Sequence, residues 1–184
     1  MWRRGQMPRD AGAGSSAEQP GEDYRVGIGY DSHRFAPGRP LILGGVRIQS
    51  EVGLVGHSDA DAVCHAITDA VLGAAGLGDI GEMFPDSDPA NKDRDSVEML
   101  EAAIALVSGA GYVVRHVDVS VIAEAPRIAP ERERIRSRLA TALGVHSSAV
   151  SVKGKSNEGM GWIGRGEGLA CIAVATLVGR GKGK

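Results

Sequence analysis

The segment that most constrains the fold lies near the C-terminus, at residues 167–178. It reads Glu-Gly-Leu-Ala-Cys-Ile-Ala-Val-Ala-Thr-Leu-Val and is apolar nearly throughout. A strand that is covered on both sides reads as a continuous apolar run, whereas a strand with one face in water alternates between apolar and polar residues. We therefore predict that residues 167–178 form a central strand of a sheet. Cys171, within this run, is predicted to be a small core residue.

The other apolar patterns supply partners for that strand. Short or alternating apolar segments predict strands at 24–30, 112–125 and 150–155, and two short strands around Gly44-Gly45. Apolar residues at helical spacing predict helices from Ser58 to about Gly76, at 95–109 and at 130–143, with Ser58 as the N-cap of the first. This order predicts a single two-layer α+β domain, a mixed β-sheet with helices packed on one face.

The ends of the chain differ from its centre. Residues 1–23 mix Arg, Gly, Ser, Pro, Gln and Glu without periodicity, which predicts a disordered N-terminal extension. We assign residues 24–179 to the folded domain and 180–184 to a solvated basic tail. The N-terminal segment has no apolar core of a secretory signal and contains acidic residues, so a bacterial cytoplasmic location is favoured over a plastid one.

Composition excludes several classes of protein. The net charge of -2 argues against a general binder of nucleic acid or membrane surfaces. Apolar runs stay short of the roughly 18 residues that a membrane span requires. The two cysteines, Cys64 and Cys171, do not make a disulfide framework. The 27 glycines among 184 residues predict tight turns and close approaches of backbone segments.

The triplet Asp31-Ser32-His33 carries the strongest chemical signal. Side chains two residues apart on an extended chain point the same way, so the Asp31 carboxylate and the His33 imidazole converge. His65, in the first predicted helix, offers a third donor. Three protein ligands with one open position are typical of a catalytic zinc site. The same ligand types hold iron in some oxygenases, and single histidines are usually ordinary polar residues. Spacing alone therefore does not decide whether a metal binds here, or which metal it is.

Three other segments suit phosphates or cations. His57 and Ser58 precede a helix, where free N–H groups and the helix dipole attract anions, although capping alone accounts for Ser58. The acidic loop 78–89 suits a cation or sugar hydroxyls, but its composition favours a solvated loop. Lys155, Ser156 and Glu158 begin a Gly-rich loop and offer phosphate donors and an oxygen ligand for Mg²⁺, a weak signal by itself.

Taken in order, these motifs resemble the family of 2-C-methyl-D-erythritol 2,4-cyclodiphosphate synthases, from about Arg25 to Val178. The resemblance is carried by Asp31-x-His33, His57-Ser58-Asp59-x-Asp61, the His65 helix, Gly78-Asp79-Ile80-Gly81-x-x-Phe84-Pro85-Asp86-x-Asp88, Glu124-x-Pro126, Lys153-x-x-x-Asn157-Glu158 and Gly164-Arg165-Gly166-Glu167-Gly168. It implies a homotrimer with active sites between subunits.

The resemblance implies a role for each matching residue. Asp31, His33 and His65 match ligands of one Zn²⁺ per subunit, and Glu158 matches a ligand of a second ion, Mg²⁺ or Mn²⁺, bound with the substrate diphosphate. His57 and Ser156 match catalytic residues. The residues that match phosphate-binding positions are Asp31, His33, His57 and Ser58, and those that match contacts to the methylerythritol are Asp79, Gly81, Phe84, Asp86 and Asp88. The residues that match the cytosine pocket are Ala123, Pro126, Ile128 and Ala129. The residues that match positions at the diphosphate and the trimer centre are Lys155, Ser156, Asn157, Glu158, Trp162 and Arg165.

The departures from the family pattern are small. Ser156 stands where the family usually has Thr, which keeps the hydroxyl group. Gly154, Gly159-Met160 and Trp162 also replace commoner residues. These changes preserve the hydroxyl group at Ser156 and the predicted metal ligands. They leave undecided whether the central cavity has the shape that is usual in the family.

The implied reaction is an intramolecular phosphoryl transfer in the non-mevalonate isoprenoid precursor pathway. The 2-phosphate of 4-diphosphocytidyl-2-C-methyl-D-erythritol 2-phosphate attacks the β-phosphorus, CMP leaves, and the 2,4-cyclodiphosphate forms. Two alternatives remain. A zinc-dependent phosphoesterase would use the same triad and release free phosphate. A non-catalytic trimeric nucleotide- or metal-binding module would bind without turnover, although Glu158 argues against it.

Overall fold

The structure is a computed structural model that describes residues 23–180. The predicted extension and basic tail lie almost wholly outside the described residues. The strands are β1 (Tyr24–Pro37), β2 (Leu41–Leu43), β3 (Val46–Ile48), β4 (Val52–Leu54), β5 (Tyr112–Ile122), β6 (Val150–Lys155) and β7 (Gly168–Gly179). The α-helices are α1 (Ala62–Ala75), α2 (Ile80–Met83), α3 (Ser96–Gly109), α4 (Arg132–Leu143) and α5 (Gly161–Gly164), with 3₁₀ turns at Pro89–Asn91 and Ser147–Ala149.

Strand β7 occupies the centre of a five-stranded sheet, as its apolar sequence predicted. The strand order is β4-β1-β7-β5-β6. Only the β5–β6 pair of this sheet is parallel, so the sheet is mixed. Strands β2 and β3 form the predicted hairpin around Gly44-Gly45. The α+β architecture predicted from the order of elements is confirmed, with α1 packed on β1 and β7.

Helix α1 lies directly on β1 because two glycines of the strand face it. A Cβ atom added at Gly29 would lie 1.9 Å from the Ala66 carbonyl oxygen of α1, and one added at Gly27 would lie 2.1 Å from the Ala70 oxygen. Any side chain at these positions would therefore push the helix away. This contact is one of the close backbone approaches predicted from the glycine content.

The start of α1 differs from the prediction. Asp61, not Ser58, is the N-cap, and its Oδ1 accepts the N–H groups of Val63 and Cys64. Asp61 also accepts the N–H groups of Gly44 and Gly45 at 2.8 and 2.6 Å, so it joins the hairpin to the helix. Burial raises the pKa of Asp61, and these backbone hydrogen bonds oppose the rise. The Ser58 hydroxyl instead accepts the N–H of Ala60 within the preceding turn.

Three other boundaries also moved. Strand β1 continues seven residues beyond the predicted 24–30, because the polar residues that follow still pair with β7, as in Asp31↔Cys171 and His33↔Leu169. Strand β5 ends at Ile122 instead of 125, and the cis Ala125–Pro126 peptide follows in a turn. Helix α4 begins at Arg132, two residues after the predicted start.

Candidate metal centre and active site

Strand β1 and helix α1 bring the predicted triad together. Asp31 Oδ2 lies 2.9 Å from His33 Nε2 and 3.3 Å from His65 Nδ1. The two ring nitrogens lie 3.4 Å from each other. Asp31 and His33 stand two residues apart on β1, as predicted, and His65 reaches them because α1 lies so close to that strand. Cys64 is fully buried and does not belong to this group.

The three atoms fit a divalent metal ion. Ligand atoms held at about 2.0–2.2 Å from a tetrahedral zinc ion lie roughly 3.3–3.6 Å from one another, close to the 3.3 and 3.4 Å found for two of the three pairs. Asp31 Oδ2 is also buried without a well-oriented hydrogen bond, although both rings are near it. A cation between the three atoms would satisfy this oxygen.

The outer nitrogen of His33 is already engaged. Nδ1–H donates to the Val55 carbonyl oxygen at 2.8 Å. A carbonyl oxygen can only accept, so this bond fixes the proton on Nδ1 and leaves the lone pair of Nε2 directed at the triad. A Cβ atom at Gly56 would lie 3.0 Å from the ring, so a side chain at this position would crowd the ring of His33.

The charges of the triad support one another. Burial would raise the pKa of Asp31, but the adjacent rings of His33 and His65 outweigh it and hold that pKa well below its ordinary value. Burial would lower the pKa of His33, but Asp31 and the Val55 carbonyl outweigh it and raise that pKa above its ordinary 6.5. A proton on His33 Nε2 would therefore compete with a cation for this place.

The affinity of the triad for a divalent metal ion, such as added Zn²⁺, should consequently fall as pH is lowered. A protonated imidazole cannot bind metal, and the raised pKa of His33 means that protons begin to compete above pH 6.5. Asp31 stays ionised through this range because its pKa is lowered. Titration against a chromophoric chelator between about pH 5.5 and 8 checks this expectation. An affinity that stayed constant across that range would contradict it.

A cavity of about 580 Å³ opens beside the triad. Its walls include several residues that the sequence assigned to substrate, namely Asp31, His33, His57, Ser58, Gly81, Phe84 and Asp86. His57 is exposed and Ser58 is buried, and the Ser58 hydroxyl lies 3.1 Å from His65 Nε2. The cavity therefore joins the candidate metal ligands to hydroxyl and imidazole groups.

The acidic loop beside this cavity is more ordered than its composition indicated. Asp69 of α1 accepts the N–H of Ile80 at 2.8 Å, and Phe84 is buried. Asp79 and Asp88 cap short turns by accepting N–H groups of Glu82 and Ala90. Neither of these two carboxylates belongs to the cavity wall. Phe84 therefore departs from the solvated-loop interpretation, whereas most residues around it are exposed as that interpretation predicted.

A second cavity, of about 350 Å³, lies where β5 and β6 end. Four of its lining residues are those matched to a cytosine pocket, Ala123, Pro126, Ile128 and Ala129, and they are joined by Lys155 and Ser156. Arg127 and Arg132 also line it, so the cavity carries positive charge next to an apolar wall. A Cβ atom at Gly154 would lie 3.0 Å from Ile128, so this departure from the family pattern gives Ile128 room.

The loop after β6 holds Glu158 in an unusual conformation. Its φ of 51° lies in the left-handed region, which non-glycine residues rarely adopt. Ser156 Oγ donates to Glu158 Oε1 at 2.8 Å. The N–H of Asn157 donates to Glu124, which ties this loop to the turn after β5. Strained backbone of this kind is often found at functional sites.

Six predicted site residues are absent from the linings of both cavities: Asp79, Asp88, Asn157, Glu158, Trp162 and Arg165. Arg165 pairs with Glu167 at 2.6 Å. Trp162 lines a smaller cavity together with Ser32, His33, Arg34 and Glu167. The Asn157 side chain donates to the Met160 carbonyl oxygen and so shapes the loop.

Two residues beside the triad, Ser96 and Asp59, had no predicted role. Ser96 lies at the start of α3, and Asp59 lies just before α1. The Ser96 hydroxyl is within hydrogen-bond distance of His65 Nε2, and it donates to Asp59, so Ser96 connects Asp59 to His65. Asp59 belongs to the His57-Ser58-Asp59-x-Asp61 motif, which was a signal available in the sequence. Ser96 is 31 residues from His65, and no local pattern marks it.

Comparison with known proteins agrees with the motifs. A relative from Gemmatimonas aurantiaca, named 2-C-methyl-D-erythritol 2,4-cyclodiphosphate synthase, is 63% identical over 84% of this chain and 93% of its own length. The solved structure of IspF from Plasmodium falciparum in a CDP complex matches with a TM-score of 0.76 and 36% identity, over 85% of this chain and 97% of that one. The bifunctional IspDF from Campylobacter jejuni matches with a TM-score of 0.84 and 39% identity, over 87% of this chain and 43% of that longer one.

The model of the YgbB family matches residues 24–178. This range runs from the first residue of β1 to the last residue but one of β7, so it includes the triad, both cavities and every element of the sheet. Since a single family model accounts for the whole described fold, the chain belongs to the YgbB family.

Proposed function

We propose that this protein is a phosphorus–oxygen lyase, 2-C-methyl-D-erythritol 2,4-cyclodiphosphate synthase. It converts 4-diphosphocytidyl-2-C-methyl-D-erythritol 2-phosphate to the 2,4-cyclodiphosphate and CMP, a step of isoprenoid precursor synthesis. The observation that carries this proposal is the Asp31–His33–His65 triad beside a cavity, in a chain with relatives at 63% and 51% identity that bear that enzyme's name. These relatives are bacterial, which supports a bacterial cytoplasmic location.

The reaction requires one anion to attack another. Two unit charges 4 Å apart repel by about 4 kcal/mol at an effective dielectric constant near 20. In this proposal the Asp31, His33 and His65 side chains hold Zn²⁺ and Glu158 contributes to a site for Mg²⁺ or Mn²⁺. When bound, the two cations neutralise phosphate charge and assist departure of CMP.

The chain's own residues then position the substrate. His57 and Ser58 donate to phosphate oxygens, and the loop with Gly81, Phe84 and Asp86 contacts the methylerythritol. The second cavity receives the cytosine between Ala123, Pro126, Ile128 and Ala129, while Lys155 and Ser156 donate to the diphosphate. Such positioning accounts for much of the rate, because the substrate must fold back so that its own phosphate reaches the β-phosphorus.

The two cavities are separated within one chain. Asp31 pairs with Cys171, Cys171 with Val121, and Val121 with Gly154, so three strand spacings, roughly 14 Å, separate Asp31 from Gly154. Cys171 and Val121 are fully buried between them. A site that uses both cavities therefore forms more readily between copies, one contributing the triad and the next the cytosine cavity.

The sheet face opposite the helices supports assembly into a homotrimer. Val26, Ile28 and Tyr30 of β1 are exposed there, and their partners on β7 include Val174 and Ile172. An apolar patch of adjacent side chains on two paired strands is typical of an interface. We therefore propose that this face packs against other copies of the chain.

Replacing Ile28 with Asp should give a folded monomer with little turnover. The side chain is 70% exposed in one chain, so the core is unaffected, while a charge at the interface would be desolvated on assembly. Analytical ultracentrifugation measures the mass and circular dichroism the fold. Leu106→Asp is the matched control, since Leu106 is 44% exposed on α3, away from this face. A trimer that persists in Ile28→Asp would contradict the assignment.

Phosphorus NMR of the products tests the reaction itself. Incubation with the cytidyl substrate, Zn²⁺ and Mg²⁺ should yield CMP and a cyclic diphosphate without free phosphate. Release of inorganic phosphate would instead identify a phosphoesterase. Nucleotide binding without any turnover would identify a binding module.

Replacing Glu158 with Gln should leave zinc bound but reduce turnover on the order of 10²-fold, because a divalent cation loses a charged ligand. The amide oxygen can still accept the Ser156 hydroxyl, so the loop should keep its shape. The measurement is turnover against Mg²⁺ concentration, with Glu101→Gln on the exposed side of α3 as the control. Unchanged magnesium dependence would remove Glu158 from the metal site.

A further inference from the structure

The Ser96 hydroxyl and the Asp59 carboxylate lie on the side of the His65 ring that faces away from Asp31. His65 presents Nδ1 to Asp31, and its other nitrogen, Nε2, lies 2.9 Å from Ser96 Oγ. Ser96 Oγ–H donates to Asp59 Oδ1. The N–H of Ser96 donates to Asp59 Oδ2 at 3.2 Å, so one carboxylate accepts both the hydroxyl and the N–H of this serine.

This arrangement sets the direction of the hydrogen bonds. A carboxylate only accepts, so the Ser96 hydroxyl proton points to Asp59. The Ser96 oxygen is then left with lone pairs and accepts the Nε2–H of His65. An imidazole with its proton on Nε2 has a free lone pair on Nδ1, and Nδ1 is the atom that faces Asp31 and His33.

The network is sheltered and anchored. Ser96 is fully buried, which keeps water from competing for its hydroxyl. The N–H of Asp59 donates to the Arg94 carbonyl oxygen at 3.2 Å, and the N–H of Asp61 donates to Asp59 Oδ1. These bonds connect the segment before α1 to the segment before α3, so the position of His65 depends on both helices.

Ser58 offers a second hydroxyl near the same nitrogen, at 3.1 Å, but its surroundings differ. It lines the substrate cavity, and its oxygen accepts the N–H of Ala60. Asp59 orients the Ser96 hydroxyl instead. If Ser96 accepts the His65 proton, Ser58 does not have to, and the Ser58 hydroxyl proton can be donated to the substrate or to Ser96 Oγ, which lies 3.5 Å away.

We propose that Asp59 and Ser96 are positioning residues that keep His65 as the Nε2–H tautomer and present its Nδ1 to the metal. The inference rests on the proposed function, since it concerns the metal ion of that site. Outer hydrogen-bond partners of metal-bound histidines contribute about 10- to 100-fold to metal affinity or activity. The hydroxyl between ring and carboxylate would extend this effect over two hydrogen bonds.

The test is Ser96→Ala, with zinc affinity measured by chelator competition in the absence of substrate. We expect the affinity to fall roughly tenfold. Two-bond ¹H–¹⁵N NMR of the metal-free protein at pH 8 should show His65 as the Nε2–H tautomer in the parent protein and as a mixture in the variant. Asp95→Ala is the matched control, because Asp95 caps the same helix by accepting the N–H of Val97 at 2.7 Å. It should lower the melting temperature and leave zinc affinity unchanged.

Three results would overturn the inference. They are a zinc affinity of Ser96→Ala within about twofold of the parent, an equal loss in Asp95→Ala, and an unchanged tautomer in the NMR spectrum. A parent protein that bound no zinc would contradict the proposed metal site instead, and the tautomer measurement on the metal-free protein would still decide the role of Ser96.

Discussion

Replacing His33 with Ala should abolish zinc binding and reduce turnover on the order of 10³-fold or more. A Lewis-acidic metal supplies several kcal/mol of charge stabilisation in the transition state. Each 1.4 kcal/mol of that stabilisation that is lost lowers the rate about tenfold. The variant removes the Nε2 atom that lies 2.9 Å from Asp31 Oδ2 and leaves that buried oxygen with a single neighbouring ring. Elemental analysis after dialysis measures the zinc content, and the product assay measures turnover.

The fold should persist in this variant. His33 makes one hydrogen bond to the backbone, to the Val55 carbonyl oxygen, and loss of such a bond costs about 1 kcal/mol. His146→Ala is the matched control, since that histidine is exposed and caps a short turn after α4. Full turnover by His33→Ala after zinc is stripped would show that the triad is not the catalytic metal site.

Replacing Gly29 with Ala should lower the stability of the protein by about 3 kcal/mol or more. The added Cβ would lie 1.9 Å from the Ala66 oxygen and 2.8 Å from the Ala70 nitrogen, whereas nonbonded atoms prefer about 3.5 Å or more. Both neighbours are backbone atoms of α1, so the whole helix must move. For a domain of this size the melting temperature should fall by roughly 10 °C.

The same change should weaken zinc binding, because His65 moves with α1 while Asp31 and His33 stay on β1. Gly73→Ala tests the same replacement on the solvent side of α1. A Cβ at Gly73 meets no atom within 4 Å, so that variant should gain about 0.5–1 kcal/mol from helix propensity. Opposite shifts in the two melting temperatures are expected. A Gly29→Ala protein that melts like the parent would show that α1 is not held against β1 in this way.

Much of the fold could be predicted from local patterns. The continuous apolar run of β7 marked the centre of the sheet, and Gly44-Gly45 marked the hairpin. The boundaries that moved lie where polar residues occupy regular structure, as in the second half of β1. There the main-chain pairing with β7 continues although the side chains no longer follow the apolar pattern. Pairing of this kind depends on a neighbouring strand more than 130 residues away, which local patterns do not contain.

The assignment of Ser58 and Asp61 illustrates the same limit. Both are good N-cap residues, and the sequence places them three apart. Asp61 caps the helix because the hairpin at Gly44 and Gly45 supplies two further N–H donors to its carboxylate. Ser58 is then free to face the cavity.

The sequence by itself determined the order of the long strands and helices, the donor types of the candidate ligands Asp31, His33 and His65, and the family to which their motifs belong, whereas β4, α2 and α5 were not predicted. These features depend on side-chain type and on spacing along one or two elements. Only the tertiary structure decided that Asp61 joins the hairpin to α1 and that Ser96 stands behind His65. The physical reason is that a hydrogen bond requires two atoms within about 3 Å, and for residues far apart in the chain that distance is set by how α1, α3 and β1 pack together.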